Sequence, residues 1–355
     1  MASGTGGQIA IKKTSSLYLN IESADSWTNF VTESIEHNLE ELEEGSITGR
    51  RDAPPSWKGI DFAEGDITFE PNPNAIGHFL NGAFGTIASS MQTDAGSTGA
   101  NSGEEAGKPV FVHTFTPRQA AFDERTFLEP YTVMVYKDTG SAFFNQGSIF
   151  NRLEFNIQAG QLMNATVGLM ARAVTRGERI AAASTFISSG GRPWIWDMSS
   201  VEVASGGEGV SFLAGNTNFE QVQLSLETPQ EGVVLLDGNK NYAEFQPNDF
   251  RRVNLSGTIS FRNQEEYNAF IAYESRYMRI TITNANSASK LGNVDPGSVQ
   301  AYALQFDIPK MKFLTWSTPL NGPNRLQTSF TAKAEYSDTD GYMIRAILTN
   351  VTSFY

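Results

Sequence analysis

One stretch of the chain alternates apolar and polar residues, and its pattern occurs twice. From Arg252 to Arg262, Val253, Leu255, Ile259 and Phe261 stand against Asn254, Ser256, Thr258 and Ser260. Alternation with period two predicts a strand with one buried and one wet face, as in an antiparallel sheet. A second such strand is expected from about Ile60 to Glu70, because Gly65-Asp-Ile-Thr-Phe-Glu70 is echoed 192 residues on by Gly257-Thr-Ile-Ser-Phe-Arg262. Each copy is followed by an Asn and an apolar triplet at helical spacing. Ile76, Phe79 and Leu80 follow Asn72, and Tyr267, Phe270 and Ile271 follow Asn263. Asn72-Pro73 suits a helix start, and Asn263 with Glu266 has the form of a capping box. Each short helix carries one apolar stripe and is expected to pack on its own sheet.

The repeat resolves an ambiguity elsewhere. Ile35, Leu39 and Leu42 lie at helical spacing, but their counterpart Val222-Gln-Leu-Ser-Leu-Glu227 alternates as a strand does, and Thr28-Asn-Phe30 is matched upstream by Thr217-Asn-Phe219. Ile35 to Leu39 is therefore read as a strand, and the acidic run from Glu40 to Glu44 as a loop reaching about Lys58. Further strands pair off: Tyr131–Tyr136 with Tyr277–Ile282, Arg152–Ile157 with Ala303–Ile308, and Leu169–Ala173 with Phe330–Ala334. This organisation predicts a mainly β chain. A flexible segment (1–16) precedes a first domain (17–180), a linker (181–191) and a second domain (192–355). Residues 2–7, 86–107 and 284–298 are rich in small and polar residues. They are expected to be surface loops or ends, able to order on a neighbouring subunit.

Charge narrows the functional classes. The 26 basic and 39 acidic residues give −13, and Lys and Arg do not cluster as a phosphate-binding surface requires. Such a surface is either plainly soluble or suited to lie near nucleic acid without holding it. With no Cys, disulfides, thiolate metal sites and cysteine nucleophiles are excluded. No run of about 18 apolar residues occurs, and the first residues lack the apolar core of a signal peptide, so synthesis and assembly in a cytoplasm are expected. His37, His78 and His113 are too scattered for a zinc site, and neither a phosphate-binding glycine loop nor a serine nucleophile elbow is present. Asp338-Thr-Asp340-Gly341 reads as a turn. Asp61, Glu64, Asp66 and Glu70 read as solvated acids, and Trp194, Trp196 and Trp316 as core residues or a sugar-binding platform. No catalytic constellation emerges, and no cofactor or metal is called for.

The order of elements is more informative than any single motif. A strand, an acidic loop ending near Pro54, the Gly65-Asp-Ile-Thr-Phe69 strand, a short amphipathic helix, His113-Thr-Phe-Thr-Pro117 and Tyr131-Thr-Val-Met-Val135 together resemble the tail tube proteins of long-tailed bacteriophages. Residues 17–175 carry the resemblance best, and 192–355 looks like a diverged second copy.

The resemblance implies a β-sandwich or partly closed barrel in each half, flanked by a helix. It also implies ring assembly, with a tandem chain forming trimers of pseudo-sixfold symmetry stacked around a DNA-conducting lumen. Implied partners are other copies of the chain and the tape-measure, tail terminator and distal tail proteins; the implied location is the virion tail. On that basis Asp66, Thr68, Glu70, Asn254, Ser256 and Thr258 are candidates for the lumen wall. Glu40, Glu41, Glu43, Glu44, Arg50, Arg51 and Lys58 are candidates for a loop that meets the adjacent ring through complementary charge. The alternatives are a contractile or secretion-type tube and, from another class, a tandem glycan-binding or adhesin-like module.

Overall fold

In the computed structural model the alternating segments pair into antiparallel strands. The described residues are 6–17, 23–47, 49, 51–91, 110–138, 140–180, 193–205, 218–261, 264–283, 290–295, 298–320 and 325–355. The first half opens with β1 (Gln8–Lys13), β2 (Ser26–Thr28), β3 (Thr32–Glu33), β4 (Glu36–Glu43) and β5 (Ser56–Phe69). Helix α1 (Ile76–Phe84) leads to β6 (Gly85–Met91), β7 (Phe111–Pro117), β8 (Tyr131–Tyr136), β9 (Ala142–Gln158), β10 (Asn164–Ala171) and β11 (Ala173–Gly177). The second half begins with β12 (Ser199–Ser205), β13 (Phe219–Glu227), β14 (Gln230–Val233), β15 (Glu244–Pro247) and β16 (Arg252–Ser260). After α2 (Glu265–Ile271) come β17 (Arg276–Thr283), β18 (Lys290–Asp295), β19 (Ser298–Ala301), β20 (Ala303–Ser317), β21 (Gln327–Ala334) and β22 (Arg345–Asn350). No described helix is long and apolar enough to cross a membrane.

The pairings run through one order twice. In the first half it is β1–β8–β9–β10–β5–β4. In the second it is β12–β17–β20–β21–β16–β13. Strands β9 and β20 are long because each leaves one ladder and enters another. Residues 142–148 of β9 pair with β8, and residues 149–156 pair with β10. The change of ladder falls beside Gly147, whose φ of 58° is left-handed and which approaches the Leu17 carbonyl too closely for a side chain. In β20, Pro309 sits within the register shift between the Met311 and Ile308 pairings, where its missing N–H is tolerated.

The halves join strand to strand. The outer edge of β13 pairs with residues 152–158 of β9, giving an arc of eight antiparallel strands, β4–β5–β10–β9–β13–β16–β21–β20. The sheets do not close into a barrel. One apolar core runs beneath the arc, and Phe155 of β9 packs on Phe306 of β20 with ring centroids 4.8 Å apart.

A second connection uses β22, which lies between β20 and β7 of the first half. Buried Asp307 accepts hydrogen bonds from Arg279 on β17 (2.7 Å) and Arg345 on β22 (2.8 Å). Farther on, Asn350 donates to the Pro73 carbonyl (2.9 Å), and the Tyr355 ring meets His78 and His113 edge-on at about 5 Å. That ring fills the space above Gly77, where a Cβ would lie 2.2 Å from it. Every residue of α1 is buried, and the helix ends at left-handed Gly85.

Five sequence expectations change. Residues 8–13, within the segment expected to be flexible, form β1, which pairs with β2 and β8 and buries Ile9, Ala10 and Ile11. The acidic run is strand, not loop: Glu40, Glu41 and Glu43 belong to β4, and Lys58 to β5, in a long hairpin arm whose connection is residues 44–55. Asn72 does not cap α1 but makes a turn before it, its side-chain oxygen accepting from the Asn74 N–H (2.9 Å); Ala75 is the cap residue. Leu153 and Leu304 are not equivalent. Leu153 pairs with Val167 on β10, whereas Leu304 lies between Ile282 and Leu348, beyond the end of the β21 ladder. The stripe of α2 is half open, with Tyr267 and Ile271 exposed. Asn263, Thr217, the segment 181–191, most of 86–107 and parts of 2–7 and 284–298 lie outside the described residues.

Two measurements test this architecture. The repeated glycines face crossing backbone, since a Cβ at Gly65 would lie 2.4 Å from the Ser34 carbonyl oxygen and one at Gly257 2.3 Å from that of Gln221. Gly65→Ala and Gly257→Ala should each lower unfolding stability by about 1–3 kcal/mol in denaturant titrations. Burial alone would raise the Asp307 carboxyl, but its bonds from Arg279 and Arg345 outweigh that and hold it below the usual carboxylate range. A depressed folded value means that its stabilisation is present above pH about 4 and is lost as pH falls through the folded value. Asp307→Asn should remove that acid dependence and cost about 3–5 kcal/mol at neutral pH.

Candidate assembly surface: a polar sheet face between two open edges

The strand alternation divides the eight-strand arc into two faces. Val167, Leu153, Phe155, Val222, Leu224, Leu226, Val253 and Leu255 turn into the core. The opposite face is polar over the middle of the arc, while Phe62 and Met170 at one end of it pack on apolar neighbours. It carries Glu64, Asp66 and Thr68 on β5, Thr166 on β10, and Arg152, Glu154 and Asn156 on β9. It continues with Gln221, Gln223 and Ser225 on β13, Asn254, Ser256 and Thr258 on β16, and Ser329, Thr331 and Lys333 on β21.

Side chains on this face bond across neighbouring strands. Thr68 and Thr166 hydroxyls lie 3.0 Å apart, those of Thr315 and Thr331 2.6 Å, and Gln221 donates to Asn156 at 3.3 Å. Its cations stand beside carboxylates: Arg152 meets Asp66 at 2.7 Å and Glu154 at 3.7 Å, Arg252 pairs with Asp249, and Lys333 meets Glu335 at 3.1 Å. Partial burial would lower the Arg152 pKa, but the bond to Asp66 and the charges of Asp66, Glu154 and Glu227 raise it. Arg152 is therefore held charged and already paired.

Of the six residues predicted to share a wall, Asp66, Thr68, Asn254, Ser256 and Thr258 lie on this face, and Glu70 follows directly after β5. The strands β5 and β16 that carry them stand apart, separated by β10, β9 and β13. The intervening Arg152, Glu154, Asn156, Gln221 and Gln223 were not selected from sequence, although Gln223-Leu-Ser-Leu-Glu227 showed the same alternation.

The arm residues are brought together. Glu40, Glu41 and Glu43 line β4, Glu44 and Arg51 belong to the connection, and Arg50 lies outside the described residues. Lys58 and His37 both bind Asp61. Burial would raise the Asp61 pKa, but those two partners lower it. The turn between β14 and β15 clasps the base of the arm. Lys240 donates to the Lys58 carbonyl (2.6 Å) and accepts from the Asp61 N–H (2.7 Å), while Asn241 donates to the Asp61 carbonyl (2.8 Å).

Both ends of the arc are open among the described residues. Strand β4 pairs only with β5. On β20 the β17 ladder stops at Met311, leaving that side of residues 312–317 without a partner strand. Large apolar side chains lie at both ends: Leu39 is 56% exposed and Leu314 45%, with Leu42, Trp57, Ile271 and Leu320 also exposed.

The other sequence candidates are structural. His78 is buried, which pushes its pKa down to about 4, and burial also lowers that of His113, which bonds to the Thr352 carbonyl (2.8 Å). Trp194 is sealed in the core and Trp316 is packed against it, so they form no open platform with Trp196.

Comparison with known proteins gives one extended match. The sequence profile of a family described as phage tail tube protein matches residues 4–334. No curated protein sequence matches the chain. A solved structure titled "Crystal structure of Hcp protein" is similar at 10% identity and a TM-score of 0.21, over 38% of this chain and 86% of that one. So slight a likeness adds nothing to the family match.

The two faces should respond differently to truncation. Gln223→Ala or Thr258→Ala should change unfolding stability by no more than about 0.5 kcal/mol, and Leu224→Ala, on the same ladder, should cost about 2–5 kcal/mol. Equal losses on both faces would mean that the polar face is packed rather than open.

Proposed function

This chain belongs to the phage tail tube protein family, and from that premise we propose that three copies close edge to edge into a ring, and that rings stack around a lumen that conducts DNA. The family role is structural: its members are components of the virion tail and assemble into a tube. The trimer, the stacking and the passage of DNA are our reading.

One observation supports it most. The β9–β13 junction is a finished example of the contact that β4 and β20 leave unmade. Glu36 pairs with Glu64 and Gln223 with Ser256, each pair standing one residue before the repeated glycine, Gly65 or Gly257. Residues 36–40 therefore occupy in the first half the place that residues 223–227 occupy in the second. In the second half those residues dock on the edge of β9; in the first they have no partner strand on that side among the described residues and would dock on the free end of β20 in another copy. Because the two edges differ, the contact is heterologous and can close a ring. Three chains supply six domains, and their eight-strand arcs give 24 strands in one wall.

In such a ring the polar face looks into the lumen, since the opposite face is filled by the core. The stretch of wall from Asp66 and Thr68 to Asn254, Ser256 and Thr258, with its arginines paired, offers DNA no counterion-releasing cluster to stop it. Glu70 continues that wall. The arm bearing Glu40, Glu41, Glu43, Glu44, Arg50, Arg51 and Lys58 fixes the register of stacked rings, with exposed Ile47 and Trp57 adding apolar contact. Assembly takes place in the host cytoplasm, with tape-measure, tail terminator and distal tail proteins as further partners. The glycan-binding alternative loses its platform because Trp194 is buried.

Negative-stain electron microscopy of the purified chain, alone and mixed with tail tips, tests this. Rings or tubes with a central channel and threefold symmetry are expected. Leu39→Asp, at an exposed position, should abolish them without changing the melting temperature of the monomer. A wild-type chain that stays monomeric in both settings would overturn the proposal.

A further inference from the structure

The junction inside the chain and the junction left for another copy differ in charge, although they are built on equivalent strands. Inside the chain, the polar pairs across β13 and β9 are Gln221–Gln158, Gln223–Asn156, Ser225–Glu154 and Glu227–Arg152. Amides dominate, and the one pair of full charges is of opposite sign. On the free edge the corresponding places hold Glu36, Asn38 and Glu40, followed by Glu41, Glu43 and Glu44. All five glutamates are exposed. On the arm, the Lys58 ammonium and the His37 ring are both engaged by Asp61.

The other end of the arc is basic. Lys310, Lys312 and Lys333 converge on a single carboxylate, Glu335, at 3.7, 3.4 and 3.1 Å. Lys312 also stands 4.4 Å above the Tyr273 ring, where its charge is held close to the open edge. Three ammonium groups sharing one carboxylate leave positive charge in excess.

The internal junction shows how the two meet. Past Glu227 the chain keeps running along β9 toward its earlier residues, the Thr228 N–H donating to the Asn151 carbonyl at 2.8 Å. The same path past Glu40 carries Glu41, Glu43 and Glu44 along β20 of a second copy toward Lys312 and Lys310.

We propose that charge selects the partner edge: the acidic strand β4 of one copy recognises the Lys310–Lys312–Lys333 cluster of the next, and repulsion between acidic edges excludes β4–β4 pairing. The inference rests on the ring reading above and adds what makes the contact directional. Charges of one sign directly opposite each other destabilise a strand pair, whereas complementary charge fixes register and partner. The internal junction is formed within one chain and has no wrong partner to reject.

Charge reversal of the full-length chain tests this, with assembly followed by light scattering and electron microscopy. Raising salt from about 0.05 to 0.5 M should increase the concentration needed for wild-type assembly by about tenfold or more, because screening shortens the reach of exposed charges. The melting temperature of the monomer should stay nearly constant over that range. The triple variant Glu41→Lys, Glu43→Lys, Glu44→Lys should fold but not assemble. Adding Lys310→Glu, Lys312→Glu and Lys333→Glu to the same chain should restore rings, which a merely structural effect of the substitutions would not do. If wild type and the first variant assemble alike at every salt concentration, charge selection is wrong and the ring reading stands. Failure of the wild type to assemble in any salt, both alone and mixed with tail tips, would sink the ring reading, and this inference with it.

Discussion

Backbone hydrogen bonding at strand edges is the constraint on which the rest of this structure depends. A strand at the end of a sheet presents N–H and C=O groups with no partner in the protein, and such an edge templates the addition of another strand. The arc has one joint between the halves where that demand is met, between β13 and β9, and two ends where, among the described residues, it is not. Several other surfaces are closed within the chain. Helix α1 is wholly buried, β22 fills the space between β20 and β7, and Tyr355 closes over Gly77. The bare flanks of β4 and β20, which end the arc, are the places where the β9–β13 contact can be repeated with another copy.

An exposed edge is also a liability before assembly, and the composition of these edges answers it. Strand β4 is interrupted by a register shift between Leu39 and Glu41, and glutamates crowd its outer part. Bulges and inserted charge are the means by which edges are kept from joining at random. Leu39, Leu42 and Trp57 remain exposed among those charges. The edge is thus apolar enough to gain from burial and too charged to accept an arbitrary strand.

The parts of the fold legible in the sequence were those where alternation met a glycine with a reason to be there. The matching of β4 and β5 with β13 and β16 followed from Gly65 and Gly257, because each lies where neighbouring backbone crosses too close for a side chain. The polar face was partly legible for the same reason, since Asn254, Ser256 and Thr258 alternate with the core residues of β16. Strands β9 and β20 were misaligned because each is long enough to serve two ladders and carries the alternating pattern throughout. Leu153-Glu-Phe155 and Leu304-Gln-Phe306 look alike while standing in different ladders. The stripe of α2 showed that one face is apolar but not whether the chain covers it. Nothing local to β22 signals that it returns to the first half, because that pairing spans more than two hundred residues.

The strap formed by β22 and the residues after it explains why one chain holds two units so firmly. The β9–β13 ladder alone would be a single seam about which the halves could rock. The β7–β22 ladder and the Tyr355 ring on α1 make a second line of contact away from that seam, and the Asp307 ion pairs anchor β22 to its own half. Two separated lines of contact fix an angle where one does not. An arc whose angle is set during folding brings its two ends to association already oriented, so less freedom is lost when copies meet. Closure then needs only the contact between the end of β20 and the next β4, and the strap in the folded chain governs how accurately that contact is aimed.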